Sequence, residues 1–247
     1  MKRREFLQST AAGAAAAAAV LAVPCLAAGA GEHKPVLAKY WKALENEEIQ
    51  CRLCPHECQV GEGSRGMCGV RENIGGKYYT LVHSRPVALH NDPVEKKPFF
   101  HFIPGTMSYS MATAGCNFSC TFCQNWEISQ FKPEEVPSMF LSPKDVVETA
   151  LKKGSKSIAF TYNEPTVFYE YMYETAKLAK ENGLQTGVIS NGFIQKKPLE
   201  ALLDYIDAYR VDFKSFKEKF YTDISSGHLK PVLKTMKRIK RRADGSS

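Results

Sequence analysis

Ser157–Gly192, which reads "SIAFTYNEPTVFYEYMYETAKLAKENGLQTGVISNG", is the segment that decides the fold. Its first apolar run, "SIAF", is typical of a buried strand, and "LQTGVIS" predicts a second one. Between them, large and small residues recur at helical spacing along one side, and Gly183 provides a helix stop. That side consists of Phe168, Met172, Thr175, Ala176 and Ala179. A strand, a helix and a strand in this order predict a right-handed crossover between parallel strands.

The same alternation continues on both sides of this segment. Upstream, "YSMATAG" predicts a strand, and "SPKDVVETALKKG" predicts a helix that ends at Gly154. Ser142 is the expected N-cap of that helix, Pro143 lies in its first turn, and Asp145 stands in the capping-box position. Downstream, "KPLEALLDYI" predicts a helix and "AYRVDFKS" a strand. The fold class is therefore α/β with a parallel sheet.

Polar residues follow all four predicted strands. In a parallel barrel the loops that follow the strands share one face, where active sites lie. The first strand leads to three cysteines, the second to Tyr162–Pro165, the third to Ser190–Gly192 and the fourth to Asp212–Lys214. The sequence thus predicts one site that combines thiolates, carboxylates, amides and an amine.

The three cysteines after the first strand have CxxxCxxC spacing and are Cys116, Cys120 and Cys123. Pairs so close in sequence would close only tiny loops as disulfides, so they are poor structural staples. Clustered thiolates instead favour a soft metal or an iron–sulfur cluster. Three thiolates are one ligand short of a closed tetrahedral site, so the spacing alone leaves the fourth ligand of the centre unassigned.

A second cysteine group precedes the predicted sheet in "CRLCPHECQVGEGSRGMCGV" and comprises Cys51, Cys54, Cys58 and Cys68. Four thiolates suffice for structural zinc, and an iron–sulfur cluster fits the same ligands. A reduced or disulfide-linked knuckle is the third interpretation. His56 is expected to be a surface residue.

The chain is divided into four predicted parts. Residues 1–30 are a signal segment, 31–107 a Cys-rich N-terminal domain, 108–231 a partial barrel and 232–247 a basic tail. Within the second part, "VLAKYWKALENEE" predicts a short helix, "KYYTLVHSRPVAL" a strand, and the Pro-rich "NDPVEKKPFFHFIPGT" a connector with little regular structure. The tail is expected to be a solvated helix face rather than a nucleic-acid contact.

Composition is that of a globular protein, with 247 residues, 44% hydrophobic residues and a net charge of +7. Arg3 and Arg4, followed by an Ala-rich run to Ala28, resemble a twin-arginine export signal. This resemblance implies export to the periplasm. A cytoplasmic protein, or a membrane contact through an uncleaved segment, is the alternative.

These motifs together resemble the radical S-adenosylmethionine (SAM) enzymes. "GCNFSCTFCQNWEIS", "TYNEP", "SNGF" and "VDFKSF" are similar to the pyruvate formate-lyase-activating-enzyme branch. Within it, "CRLCPHEC…GMCGVREN" and "DPVEKKPFFHFIPG" resemble the radical component of the AmmeMemoRadiSam system. The fold implied is a partial (βα) barrel of the radical SAM type, incomplete at the C-terminus, because the family usually has six βα units.

The resemblance implies a four-iron four-sulfur cluster on Cys116, Cys120 and Cys123, with SAM on the open iron. Reductive cleavage of SAM would give a 5′-deoxyadenosyl radical that abstracts hydrogen from an unknown substrate, for which a protein or peptide is the candidate class. A flavodoxin- or ferredoxin-like reductant is implied. The implied SAM contacts are Phe122, Tyr162, Asn163, Glu164, Asn191, Lys214 and His228, and Ser190 with Asp212 match part of a monovalent-cation site.

Some assignments stay open at this level. The family's "GGEP" block is "YNEP" here, so the backbone approach to the cofactor differs. Glu164 has a second interpretation as a helix cap, and His228 as a surface histidine. For the whole chain, the alternatives are a non-catalytic iron–sulfur electron carrier, a zinc-knuckle interaction protein and a truncated inactive product.

Overall fold

The computed structural model describes residues 33–245. The predicted signal segment, residues 1–30, lies outside them. Within this part of the chain, no helix combines the length and the apolar character needed to cross a membrane.

Two small antiparallel sheets form the N-terminal unit, residues 33–80. Its strands are β1 (Val36–Leu37), β2 (Trp41–Ala43), β3 (Ile49–Cys51), β4 (Gln59–Val60), β5 (Arg71–Ile74) and β6 (Lys77–Thr80). One sheet has the order β1-β6-β5 and the other β2-β3-β4.

The helix predicted for "VLAKYWKALENEE" is wrong, because this segment forms β1 and β2. Tyr40 has a positive φ of 57°, which interrupts any helix between the two strands. Val36 pairs with Thr80, and Trp41 pairs with Cys51. These long-range backbone pairings override the local helix preference of the segment.

The main sheet has five strands in the order β11-β10-β9-β8-β7. They are β7 (Ala88–Pro93), β8 (Met107–Ala112), β9 (Ser157–Phe160), β10 (Gln185–Ser190) and β11 (Ala208–Val211). The last four are parallel, as the sequence predicts, whereas β7 pairs antiparallel with β8.

The predicted connector "NDPVEKKPFFHFIPGT" is partly regular, which corrects the sequence-based expectation. Its first three residues complete β7, and a 3-10 turn follows at Val94–Lys96. Pro93 is tolerated there because β7 is an edge strand, where a missing N–H need not break the ladder.

The helices lie between and after these strands. They are α1 (Trp126–Ser129), α2 (Pro143–Lys152), α3 (Tyr169–Glu181), α4 (Lys196–Leu203), α5 (Glu218–Ser225) and α6 (Leu229–Ala243), with a 3-10 turn at Pro165–Phe168 before α3. The predicted capping box is confirmed, because the Asp145 N–H donates to Ser142 Oγ and the Ser142 N–H donates to Asp145 Oδ2. The predicted inner side of the Phe168–Ala179 helix is buried throughout.

The register of the parallel strands decides where the site lies. Ser108 pairs with Ser157, Ser157 with Gln185, and Ser190 with Val211. The carboxyl ends of β8 to β11 therefore share one edge of the sheet, and the loops that follow them meet there. In the described residues, β11 pairs only with β10.

Candidate cluster and cofactor site

A cavity of about 440 Å³ opens at the carboxyl edge of the parallel strands. Each of the four strand-end loops contributes to its wall. Most of the residues predicted from the sequence line it, namely Cys116, Cys120, Phe122, Cys123, Tyr162, Asn163, Glu164, Ser190, Asn191, Asp212 and Lys214. The structure thus brings the predicted thiolates, carboxylates, amides and amine together.

The three cysteines are free thiols in a loop with fixed anchor points. The backbone N–H groups of Ser119 and Thr121 donate to carbonyls near the end of α5, at 3.1 Å each. The Phe118 N–H donates to Cys116 Sγ at 3.3 Å. Burial, reinforced by the nearby Glu164 carboxylate, raises the pKa of the Cys116 thiol. A cation bound at the sulfurs reverses that preference, since metal coordination deprotonates a thiol.

Glu164 is almost fully buried, with 1% of its surface exposed. Its Oε1 accepts hydrogen bonds from Thr166 N–H, Thr166 Oγ1 and Ser190 Oγ, and its Oε2 accepts from Asn191 N–H at 2.8 Å. Burial raises the pKa of this carboxyl, and the hydrogen bonds oppose that shift. Glu164 also caps the 3-10 turn Pro165–Phe168, which is the second interpretation considered from the sequence.

Tyr162 and Asn163 replace the two glycines of the related "GGEP" block. Tyr162 adopts a positive φ of 74°, so the backbone keeps a conformation that glycine would favour. Asn163 Nδ2 donates to the carbonyls of Thr113 and Gly115, both at 2.7 Å. The amide therefore ties the end of β9 to the start of the cysteine loop.

Asn191 connects the third strand-end loop to the cysteine loop. Its Nδ2 donates to Asn117 Oδ1 at 2.8 Å, and its Oδ1 accepts from Phe193 N–H at 2.8 Å. Asn117 in turn donates from Nδ2 to the Phe193 carbonyl at 2.9 Å. Two buried amides thus lock the two loops together.

The residues matched to a cation site have other partners here. Ser190 Oγ donates to Glu164 and accepts from Gly192 N–H at 2.9 Å. Asp212 forms an ion pair with Arg210 at 3.1 Å and lies 3.8 Å from the Lys214 ammonium. Both residues line the cavity, but each side chain already contacts protein groups.

His228 lies apart from the cavity lining. It is 59% exposed, and its Nδ1 is 2.8 Å from Glu218 Oε1. It is also the N-cap residue of α6. The structure therefore places this residue as the surface histidine of the second interpretation.

Several lining residues were not found from the sequence. Lys97, only 3% exposed, donates to Asp92 and to Tyr162 Oη, both at 2.8 Å. Arg210 reaches the cavity from β11 and bonds the Pro98 carbonyl. Lys97 lies in a block that looks like a connector, so only the "DPVEKKPFF" resemblance could have indicated it.

The four N-terminal cysteines surround a second, much smaller cavity of about 20 Å³. His56, expected at the surface, is instead half-buried: its Nε2 donates to the Asn117 carbonyl at 2.7 Å, and its ring packs 4.9 Å from that of Phe193. Across residues 33–245, no group of three or more His, Cys, Asp or Glu side chains is arranged to hold a single metal ion.

The N-terminal unit fits closely against the cysteine loop at Gly115. A Cβ at this position would lie 2.4 Å from Val70 Cγ1 and 2.6 Å from the Cys68 carbonyl oxygen. Gly115 also has a φ of +86°. The loop that carries Cys116 is thus held between the main sheet and the second cysteine group.

The donor set fits an iron–sulfur cluster with an open position. Three free thiols line a roomy cavity, and among the described residues no other cysteine and no histidine reaches that lining. Thiolates are the usual ligands of a four-iron cluster, so this donor set suits one.

Solved structures offer only distant similarity. QueE from Escherichia coli superposes with a TM-score of 0.40 at 11% identity, covering 62% of this chain and 67% of that one. TYW1, solved with a lysine-pyruvate adduct bound, gives a TM-score of 0.35 at 22% identity, covering 52% and 48%.

Sequence comparison gives closer relatives. The uncharacterized protein MJ0808 of Methanocaldococcus jannaschii is 44% identical over 204 residues, which cover 83% of this chain and 60% of that protein. MJ0674 of the same organism is 28% identical over 170 residues, covering 66% of this chain and 45% of that protein. The chain thus spans about half to three-fifths of the length of these relatives.

A family model described as the radical SAM superfamily matches residues 111–244, more than half of the chain. The match begins within β8 and contains the cysteine loop and every strand-end loop of the cavity. Superfamily membership implies an iron–sulfur cluster and SAM cleavage in general. The chain belongs to the radical SAM superfamily.

Proposed function

We propose that the chain is a radical SAM enzyme of the pyruvate formate-lyase-activating-enzyme-like branch, most similar to the AmmeMemoRadiSam radical component. The observation that carries the proposal is the cavity at the carboxyl edge of the sheet, lined by three free thiols and a buried carboxylate. When bound, the cluster and SAM supply a 5′-deoxyadenosyl radical for hydrogen abstraction. The protein itself positions these groups and shields them.

Five of the lining residues have roles that follow from their charge and contacts. Cys116, Cys120 and Cys123 would hold three irons. Glu164 supplies a negative charge for the ammonium group of SAM, and its four hydrogen bonds keep that charge in one place. Lys214 supplies a positive charge suited to the carboxylate of SAM.

The "DPVEKKPFF" block supports the AmmeMemoRadiSam assignment, because it contributes to the cavity wall. Lys97 from this block contacts Tyr162, the residue that replaces a family glycine. Its ammonium also lies 5.0 Å from the centre of the Tyr162 ring. Tyr162, which stands in place of a glycine of "GGEP", and Lys97, which belongs to the "DPVEKKPFF" block, are therefore in direct contact.

An exposed aromatic rim favours a protein or peptide substrate. Phe122 lines the cavity and is 52% exposed. Trp126, one residue after the lining residue Asn125, is 52% exposed, and Phe216, two residues after Lys214, is 85% exposed. Aromatic groups beside a polar cavity are typical of surfaces that bind macromolecules.

Three further assignments rest on the sequence. We propose export to the periplasm through the twin-arginine-like segment, with a cytoplasmic or membrane-anchored protein as the alternative. We also propose a flavodoxin- or ferredoxin-like protein as the electron donor. The four cysteines of the N-terminal unit are proposed to hold zinc or a second cluster.

The deciding experiment is anaerobic reconstitution with iron and sulfide, reduction with dithionite, and chromatographic measurement of 5′-deoxyadenosine from SAM. The wild-type chain should form this product, and Cys120→Ala should form none. Thr121→Ala is the matched control, because Thr121 lies in the same loop with an exposed side chain and holds the loop only through its backbone N–H.

Two results would contradict the proposal. A brown wild-type protein that forms no 5′-deoxyadenosine would favour a non-catalytic electron carrier. Equal product from wild type and Cys120→Ala would remove the three-cysteine loop from the chemistry.

A further inference from the structure

The second cysteine group encloses a space that the proposed SAM chemistry does not use. Cys51 ends β3, Cys54 and Cys58 follow in the next loop, and Cys68 lies in the loop before β5. All four are free thiols and all four line the same cavity. The Cys51 N–H donates to the Cys58 carbonyl at 2.9 Å, which holds the two ends of the first loop together.

The size of this cavity bears on whether the four thiols enclose a single tetrahedral ion. A tetrahedral zinc site holds each sulfur about 2.3 Å from the ion, which leaves no room for a water-sized particle among the sulfurs. The cavity here measures about 20 Å³, more than the roughly 10–15 Å³ that one water requires. In the described part of the chain, no group of three or more His, Cys, Asp or Glu side chains is arranged to hold a single ion. The space that the four thiols line is therefore larger than a tetrahedral zinc site would leave.

Two buried hydrogen-bond donors have no partner at this cavity. Tyr78 and Arg71 line it and are 0% and 1% exposed, yet Tyr78 Oη and Arg71 Nε make no hydrogen bond. Unpaired buried donors are rare and indicate a missing acceptor. Sulfide and thiolate sulfurs are acceptors, so a cluster held by the four thiolates would supply acceptors to Tyr78 Oη and to Arg71 Nε, whose other guanidinium nitrogens bond Glu170 and the Lys39 carbonyl.

Backbone groups approach the sulfurs in the same way. The Met67 N–H is directed at Cys58 Sγ, with a distance of 3.5 Å. Gly66 allows this approach, because a Cβ there would lie 2.8 Å from Tyr78 Oη and 3.5 Å from Cys58 Sγ. Hydrogen bonds to sulfur tune the potential of iron–sulfur centres.

The two cavities share a thin wall. Asn117 lines the second cavity, while its chain neighbours Cys116 and Phe118 line the first. Thr166 lines the second cavity and hydrogen-bonds Glu164, which lines the first. A centre in the second cavity would therefore lie directly behind the loop that carries the SAM-binding cluster.

We propose that Cys51, Cys54, Cys58 and Cys68 ligate a second four-iron four-sulfur cluster in which every iron has a protein thiolate. Such a cluster has no open iron, so it does not bind SAM and its chemistry is limited to accepting and releasing single electrons. The site is independent of the first cluster, and the inference goes beyond the proposed enzyme activity.

The test is a metal and sulfide count on anaerobically purified, reconstituted full-length protein. Wild type should contain about eight iron atoms and about eight sulfides per chain, twice the content of one four-iron cluster. The variant C116A/C120A/C123A leaves the N-terminal unit intact and should keep about four irons. Its reduced electron paramagnetic resonance signal should be unchanged when SAM is added.

The matched variant C54A/C58A should lose the SAM-insensitive signal and keep a SAM-sensitive one. If C116A/C120A/C123A contains zinc at one atom per chain, or no metal, the second cluster is refuted. If C54A/C58A lacks iron while C116A/C120A/C123A keeps about four irons, the inference holds and the proposed SAM chemistry fails. The two proposals therefore fail separately.

Discussion

Gly115→Ala tests the close fit between the N-terminal unit and the cysteine loop. Gly115 has a φ of +86°, and a methyl group there would lie 2.4 Å from Val70 Cγ1 and 2.6 Å from the Cys68 carbonyl oxygen. The carbonyl is backbone and cannot rotate away. Gly154 is the matched control, because it has a φ of +70° and nothing within 4 Å of an added Cβ.

The structure gives a magnitude for each substitution. An alanine in the left-handed region costs about 1–2 kcal/mol, which is the whole effect expected for Gly154→Ala. Gly115→Ala adds an overpacking cost of about 1–3 kcal/mol. For a chain of this size, the added cost lowers the unfolding midpoint by roughly 2–12 °C beyond the control, since 1 kcal/mol corresponds to about 2–4 °C.

The assay is thermal unfolding of the two reconstituted variants under anaerobic conditions, followed by far-ultraviolet circular dichroism. Iron content is measured in parallel, and Gly115→Ala should bind less iron because the loop before Cys116 must move. If Gly115→Ala unfolds at the same temperature as Gly154→Ala, the N-terminal unit does not hold the cysteine loop as described.

Three further substitutions test the site and its support. Glu164→Gln should lower the free energy of unfolding by about 2–3 kcal/mol and weaken SAM binding. An amide cannot accept all the hydrogen bonds that the carboxylate accepts, so the Asn191 N–H or the hydroxyl donors lose a partner. An unchanged unfolding midpoint and an unchanged SAM titration would contradict this. Glu170→Gln should cost about 3–5 kcal/mol, because it leaves the Arg71 charge buried without its partner at 2.5 Å. The double variant R71M/E170M should be less destabilised than Glu170→Gln in the same thermal assay, and the opposite order would show that the pair is not coupled. His228→Ala should change the free energy of SAM binding by no more than about 0.5 kcal/mol, which is the range of ordinary surface substitutions. A larger loss of affinity in a SAM titration would show that His228 contacts the cofactor.

The sequence predicted most of the residues that line the cavity. It did not predict which groups these residues hydrogen-bond. Ser190 and Asp212 were matched to a cation site, yet Ser190 Oγ donates to Glu164 and Asp212 pairs with Arg210. Which of several polar groups pair at a crowded edge depends on distances of an ångström or two. Such distances are set by the packing of all the loops together.

The sequence alone determined the parallel strands, the helix between β9 and β10 and the grouping of the strand-end loops, because apolar periodicity and local caps act over a few neighbouring residues. CxxxCxxC likewise fixes three thiols in one loop. The tertiary structure decided the rest. In the structure, "VLAKYWKALENEE" forms strands, and Ala88–Pro93 is a strand of the main sheet. Lys97 is buried in the cavity wall, and the Cys68 carbonyl lies against Gly115. Each of these depends on pairing or packing between segments far apart in the chain, and no local pattern encodes such contacts.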